Sequence, residues 1–215
     1  MKSGYTDITL ILDRSGSMSV IKCDTIGGVN QYIDSQKNGP GECRFSLVQF
    51  NESHEKLHDG KLISEVGPLT TETFVPYGCT ALFDAIGNTI NSTGRRLAAM
   101  HENNRPDKVI VVIVTDGLEN SSTEFSGQQI REMIDHQTGK YNWEFVFVGA
   151  NQDAILSGNK LGIDSSRSLC YIANCIGTRR LYDSLAANTM DVRCGTKSNM
   201  SWTEKDVKAQ INASA

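Results

Sequence analysis

Apolar residues recur along this chain in two rhythms. Residues 7 to 12 (DITLIL), 43 to 50 (CRFSLVQF), 107 to 117 (DKVIVVIVTDG), 143 to 150 (WEFVFVGA) and 168 to 173 (SLCYIA) are short runs dense in Val, Ile, Leu and Phe, and they predict strands. The 107 to 117 run is continuously apolar at its centre, the pattern of a central parallel strand covered on both faces. Elsewhere the apolar positions fall three and four apart. Met18, Ile21, Thr25, Val29, Tyr32 and Ile33 predict a helix over 18 to 35, and Leu82, Ile86 and Ile90 a helix opened by Thr80. Residues 123 to 137 predict a third, with Ser121 and Glu124 spaced as a capping box. A short helix ending at Leu161 and a last one over 176 to 189 follow. KNGPGE breaks the first helix, and residues 56 to 66 predict a strand that turns back beside 43 to 50.

Strand and helix thus alternate, which implies an α/β fold with right-handed crossovers. The expectation is a doubly wound, Rossmann-like sheet, mostly parallel with one antiparallel edge strand, and helices on both faces. A strand order 3-2-1-4-5-6 would seat the first strand beside the 107 to 117 strand. Ligands of open α/β sheets bind at the carboxyl edge of such a switch point, so the residues just after Leu12 and Val114 gain weight. Residues 1 to 191 are assigned to this domain. Residues 192 to 215 form a C-terminal extension whose SWTEKDVKAQINA stretch fits a short docked helix anchored by Trp202 better than the alternative, a tail for a partner.

Composition narrows the classes. A chain of 215 residues, 39% hydrophobic and 21% charged, suits one globular core. A formal net charge of -4 with no basic cluster argues against nucleic acid as the partner. The amino terminus carries too short an apolar run for a signal peptide, and no stretch reaches the ~20 apolar residues of a membrane span, so a cytoplasmic location is expected. The six cysteines stand at irregular intervals without a C-x-x-C pair, as reduced thiols would.

The chemistry sits at strand ends. Asp13, Ser15 and Ser17 follow the first strand as D-x-S-x-S; Thr115-Asp116-Gly117 ends the central one; YGCTALFDA places Thr80 at a helix start, with Asp84 one turn on. Each piece alone has a plain reading: Asp and Ser suit a turn with a helix N-cap, Asp-Gly is a common turn, and Thr80 could be a cap. Brought together at one sheet edge they would offer two carboxylates and three hydroxyls. These are the hard oxygen ligands that Mg²⁺ or Mn²⁺ takes, with room for waters and for a carboxylate from outside.

These motifs, D-R-S-G-S, G-C-T-A-L-F-D-A and V-T-D-G, resemble those of the von Willebrand factor A domain, also seen as the inserted domain of integrins. The resemblance runs from about residue 5 to about 190. It implies a metal-ion-dependent adhesion site in which Ser15, Ser17 and Thr80 contact the ion, Asp13 and Asp116 act directly or through water, and Asp84 orients the Thr80 loop. It further implies a protein partner presenting Glu or Asp. The compact chain looks most like the cytosolic bacterial and phage members, which work beside an ATPase or in metal-stress clusters.

Two enzymatic readings compete. HEKLH, residues 54 to 58, satisfies the zinc-peptidase pattern H-E-x-x-H, which works only on a helix, where both imidazoles reach one ion. Here no helical pattern surrounds it; in an extended segment His54 and His58 would stand ~13 Å apart, so a polar hairpin connection with two exposed histidines is expected. A Mg²⁺ phosphohydrolase could use Asp13 as nucleophile, but Ser15 stands where such enzymes want a second carboxylate. No His is expected near the Asp13 and Asp116 edge, so no acid-base catalyst is evident and enzymatic activity is not expected.

Overall fold

The computed structural model describes residues 1 to 150 and 154 to 213. Six strands, β1 (Lys2–Asp13), β2 (Glu42–Phe50), β3 (His54–Leu62), β4 (Pro106–Thr115), β5 (Glu144–Gly149) and β6 (Ser168–Cys170), make one sheet in the order β3-β2-β1-β4-β5-β6. Every pairing is parallel except β2 with β3. The expected strand order and antiparallel edge are therefore present. β1 and β4 lie side by side at the centre, with Leu12 opposite Val114, so Asp13 and Thr115 end the two strands together.

The helices are α1 (Lys22–Lys37), α2 (Leu82–Ala98), α3 (Gly127–Tyr141), α4 (Ala154–Lys160), α5 (Cys175–Cys194) and α6 (Glu204–Ile211). The alternation of side chains along each strand divides the core in two. On one face Leu10, Leu12, Phe45 and Val112 pack with Val29 and Tyr32 of α1 and Leu181, Tyr182 and Leu185 of α5. On the other, Ile11, Val111, Ile113 and Phe147 pack with Leu82, Ile86 and Ile90 of α2 and Ile130 and Ile134 of α3. α1 and α5 touch so closely at Gly28 that a Cβ there would lie 2.1 Å from the Tyr182 ring. Asp7, fully buried on β1, is gripped at 2.7 and 2.9 Å by both terminal nitrogens of Arg96, which fastens α2 to the sheet.

Several local expectations change. The amphipathic stretch from Met18 begins with a 3-10 helix, Gly16–Ile21, before α1 starts at Lys22. The third helix begins at Gly127 rather than 123, and its capping box is Ser126 with Gln129, not Ser121 with Glu124. Ser121 and Glu124 fail as a cap because the backbone N–H groups of 121 to 125 are already taken by the Glu119 and Asp84 carboxylates. β3 opens at His54, two residues earlier than expected, so HEKLH is strand throughout and not a hairpin connection. α5 runs on to Cys194. α6 is capped by Thr203 with Asp206 and lies over α5 and the edge strand β6, held by Arg180 to the Ala209 carbonyl at 2.7 Å and by Gln210 to the Gly177 carbonyl at 3.2 Å. Trp202 is partly buried against the α1/α5-side core and its backbone N–H bonds the Ser166 carbonyl at 2.8 Å.

Candidate functional site

β1 ends on a carboxylate that the sheet buries. Asp13 has no exposed surface; its Oδ1 accepts the Ser15 N–H at 2.7 Å and its Oδ2 accepts the Thr115 hydroxyl at 2.6 Å. The first bond bends the chain back over the strand end. The second ties the ends of β1 and β4 to each other.

The bent segment is then stitched to its neighbours. Arg14 N–H donates to the Phe50 carbonyl at 2.7 Å, Gly16 N–H to the Gly78 carbonyl at 3.1 Å, and Tyr77 N–H to the Arg14 carbonyl at 3.0 Å. The Arg14 side chain pairs with Glu55 of β3 at 2.9 Å and lies 5.7 Å from the Tyr77 ring. Gly78 has φ +76°, a left-handed conformation that favours glycine and turns the chain toward Thr80. Thr80 is itself fixed from the third loop: its N–H donates to the Asn120 side chain at 2.9 Å and its carbonyl accepts the Asn120 N–H at 3.0 Å.

The hydroxyls do not do the capping work that the plain readings require. Ser15 precedes the 3-10 helix without a side-chain capping bond, and the N-cap of α2 is Ala81, not Thr80. Instead, Ser15 Oγ lies 3.1 Å from Ser17 Oγ, and Ser17 Oγ donates to Asp116 Oδ1 at 2.6 Å. The centre of the cluster is marked by Gly117. A Cβ on that residue would stand 3.3 Å from Thr80 Oγ1, 3.9 Å from Ser17 Oγ and 4.0 Å from Asp13 Oδ2. Oxygens from three segments far apart in sequence thus face one small volume, kept clear because residue 117 has no side chain. Asp13, Ser15, Ser17, Thr80 and Asp116 are brought to this edge together.

Electrostatics at the edge are unfavourable for two anions alone. Burial raises the pKa of Asp13, against the lowering effect of its bonds from Thr115 and Ser15. Burial also raises that of Asp116, opposed by the Ser17 hydrogen bond and reinforced by the negative charge of Asp13. One buried and one half-buried carboxylate with hydroxyls between them are a cation-seeking arrangement. The donor set is all oxygen, the kind that hard divalent cations take.

Asp84 does not orient the Thr80 loop. Its carboxylate accepts the backbone N–H groups of Thr123, Glu124 and Phe125 at 2.8, 2.9 and 2.9 Å, and so pins the segment after β4 onto the start of α2. Sequence reasoning missed Asn120, which does the task given to Asp84, and Glu119, which accepts from Phe83, Ser121 and Ser122. It also missed Thr115 as the tie between strands, although V-T-D-G displayed it. Nothing in the spacing distinguishes Asn120 from its neighbours.

The HEKLH residues form no comparable site. His54 and His58 lie on β3, opposite Phe50 and Leu47, and His58 is half-buried with its Nε2 at 3.3 Å from the Gly67 carbonyl. His54 does stand at the carboxyl-edge end of β2, two strands from Asp13 and so about 10 Å away by strand spacing, nearer than expected but beyond contact. Among the described residues no three His, Cys, Asp or Glu side chains gather to hold a metal ion.

No protein-family model and no curated protein matches the sequence. Solved structures do match. Proximal thread matrix protein 1 of the mussel byssus, solved with a zinc-occupied MIDAS motif, superposes with a TM-score of 0.55 at 17% identity, over 90% of this chain and 46% of that one. A von Willebrand factor type A structure from Catenulispora acidiphila gives 0.55 at 16% identity, over 86% and 42%. The ArnB paralog VWA2 from Sulfolobus acidocaldarius gives 0.54 at 17%, over 86% and 45%. The chain spans less than half the length of each. At such identities the likeness is one of fold, and the fold is that of von Willebrand factor A domains. No helix among the described residues is long and apolar enough to cross a membrane.

Proposed function

We propose that this chain is a protein-binding module that takes a divalent cation, Mg²⁺ or Mn²⁺, at the carboxyl edge of its sheet and with it grips a Glu or Asp carboxylate of a protein partner. The observation that carries this reading is the convergence of Asp13 Oδ2, Ser17 Oγ and Thr80 Oγ1 on the space in front of Gly117. When bound, the ion supplies an electron-poor centre with a coordination position that an outside carboxylate can fill.

The chain's own residues divide the remaining work. Ser15, Ser17 and Thr80 offer neutral oxygens, so the ion's charge is not quenched; Asp13 and Asp116 supply the two negative charges, directly or through water. Thr80 Oγ1 makes no hydrogen bond to any described residue, although Thr80 is only 3% exposed, which leaves that oxygen available. The zinc-occupied MIDAS of the mussel protein supports metal uptake by this fold. The partner class includes complexes built around an ATPase, and a cytoplasmic setting belongs to the same proposal.

The enzymatic readings draw less support. Both oxygens of Asp13 are engaged by Ser15 and Thr115, which leaves a poor nucleophile, and β3 spreads His54 and His58 along a strand. Calorimetric titration of the full chain with Mg²⁺ tests the proposal. One ion should bind, and Ser15→Ala combined with Thr80→Ala should weaken it while the circular dichroism spectrum stays unchanged. Equal binding by the double variant would refute the assigned ligands, and phosphatase activity abolished by Asp13→Asn would favour the enzyme instead.

A further inference from the structure

The exposed large apolar side chains gather where strands end. Val20 (83% exposed) follows β1, Val75 (46%) and Tyr77 (52%) lie in the loop leading to Thr80, Leu118 (57%) follows β4, Leu156 (55%) sits in the first turn of α4, and Ile176 (53%) opens α5. All belong to segments that leave the carboxyl ends of parallel strands or run into α2, so they lie toward the sheet edge that carries the oxygen cluster. Ile155 of α4 belongs with them, and the rest of this class among the described residues are Met1, Tyr141 and, on α6, Val207 and Ile211. Scattered exposed apolar residues need no explanation, but a concentration near a polar centre marks an interaction surface.

That edge is hollow on one side. A cleft of about 190 Å³ opens next to Gly117, floored by Leu82, Phe83, Phe147 and Leu161, with Lys160 at its rim. Apolar cavities of about 150 Å³ accept a benzene-sized group, so this cleft suits one large side chain. Lys160 is exposed and forms no ion pair with a described residue.

We infer that the partner segment carries, beside the carboxylate that the metal site holds, a large apolar residue that enters the cleft between α2 and α4, and a second acidic residue that meets Lys160. This rests on the metal-site proposal and specifies what lies next to the gripped carboxylate. The apolar floor sets the neighbour's chemistry, the shared wall at Thr115 and Gly117 sets its adjacency, and the unpaired ammonium sets the sign of the second charge.

The test is selection from a displayed peptide library with one fixed Glu and random flanks, against the full chain in Mg²⁺, with calorimetric Mg²⁺ titration run alongside. Enrichment of Phe, Leu or Met beside the fixed Glu is expected, with about tenfold or greater preference over Gly, the effect of burying one such side chain. Ser157→Phe, which fills the cleft from the half-exposed face of α4, should abolish that preference and leave Mg²⁺ affinity unchanged. Lys160→Glu should remove the enrichment of a second acid. If Mg²⁺ binds but peptides are captured without the apolar preference, or are not captured at all, or Ser157→Phe retains the preference, the inference falls and the cation site stands. If Mg²⁺ does not bind, both fall.

Discussion

Replacing Gly117 by alanine adds one methyl group at the point where the three oxygens converge. The backbone accepts it, since Gly117 is not among the residues with positive φ, and a change within about 1 kcal/mol in stability is expected. The methyl, however, would stand 3.3 Å from Thr80 Oγ1, closer than an ordinary contact, and 4.0 Å from Asp13 Oδ2. Thr80 must give way by a few tenths of an ångström. Mg²⁺ demands oxygens at about 2.0–2.1 Å in near-ideal octahedral geometry, and tolerance for such displacement is about 0.2 Å. A loss of about 10–100-fold in cation affinity follows, the size seen when the groups that orient metal ligands are disturbed.

Thermal unfolding at fixed Mg²⁺ converts this into a reading. At a concentration 100 times Kd, the native chain gains about 2.7 kcal/mol. For 215 residues that is about 5–10 °C in Tm. The Gly117→Ala chain, at the same concentration, would be at about 1 to 10 times its own Kd and would gain only about 0.4–1.4 kcal/mol. Without cation the two proteins should melt within a few degrees of each other. A variant that keeps the whole Mg²⁺-induced rise would show that the space before Gly117 is not where the cation sits.

Three further perturbations probe separate parts of the edge. Asp84→Ala strips the acceptor from the N–H groups of Thr123, Glu124 and Phe125 and should cost about 2–4 kcal/mol in urea unfolding; a loss below about 1 kcal/mol would mean that water replaces the carboxylate at no cost. Asp7→Ala leaves the Arg96 guanidinium partly buried without its bidentate partner and should cost about 3–5 kcal/mol, a prediction that fails if the variant unfolds at the wild-type midpoint. Burial raises the pKa of Asp13 and Asp116 above 3.8, so between that value and the raised one the folded chain holds more protons than the unfolded, and cation-free stability falls as pH rises. Cation-free Asp13→Asn should accordingly be more stable than the native chain at pH 7, with the advantage gone below about pH 4; equal stability across the range, measured by urea unfolding, would contradict the burial argument.

The sheet was legible because its signal is redundant. Apolar-rich runs at 43 to 50, 107 to 117 and 143 to 150, separated by helical periodicity, admit few arrangements once crossovers are right-handed, and the two-halved order 3-2-1-4-5-6 is one of them. The five oxygen-bearing site residues were legible for a related reason: each stands within a few residues of a strand end or a helix start, where topology alone determines the edge it occupies. The supports were not. Asp84 looked like a partner for Thr80 because it stands one turn on in the sequence, yet its carboxylate reaches across to residues 123 to 125. The Ser121 and Glu124 spacing was a false cap because the Glu124 N–H is taken by the distant Asp84 and the Ser121 N–H by the neighbouring Glu119.

The hydrogen bonds within the cluster bear on how the site could be ready for an ion before one arrives. Oxygens that carry negative charge repel one another and are held close only if something positive lies between them, and here hydroxyl protons take that place. Thr115 donates to Asp13 Oδ2, Ser17 donates to Asp116 Oδ1, and the Ser15 and Ser17 hydroxyls share a proton contact at 3.1 Å. The bond from Thr115 need not break on the proposed reading, because Thr115 lies behind Asp13 and fixes its carboxylate from the β4 side. The Ser17 to Asp116 and Ser15 to Ser17 bonds are different, since all their partners are assigned to the ion. Those two bonds are the local cost of cation entry, about 1.5–3 kcal/mol for the one to a charged acceptor and about 0.5–1.5 kcal/mol for the hydroxyl pair, while the backbone stitching of Gly16 to Gly78 and of Thr80 to Asn120 ties the three loops to one another.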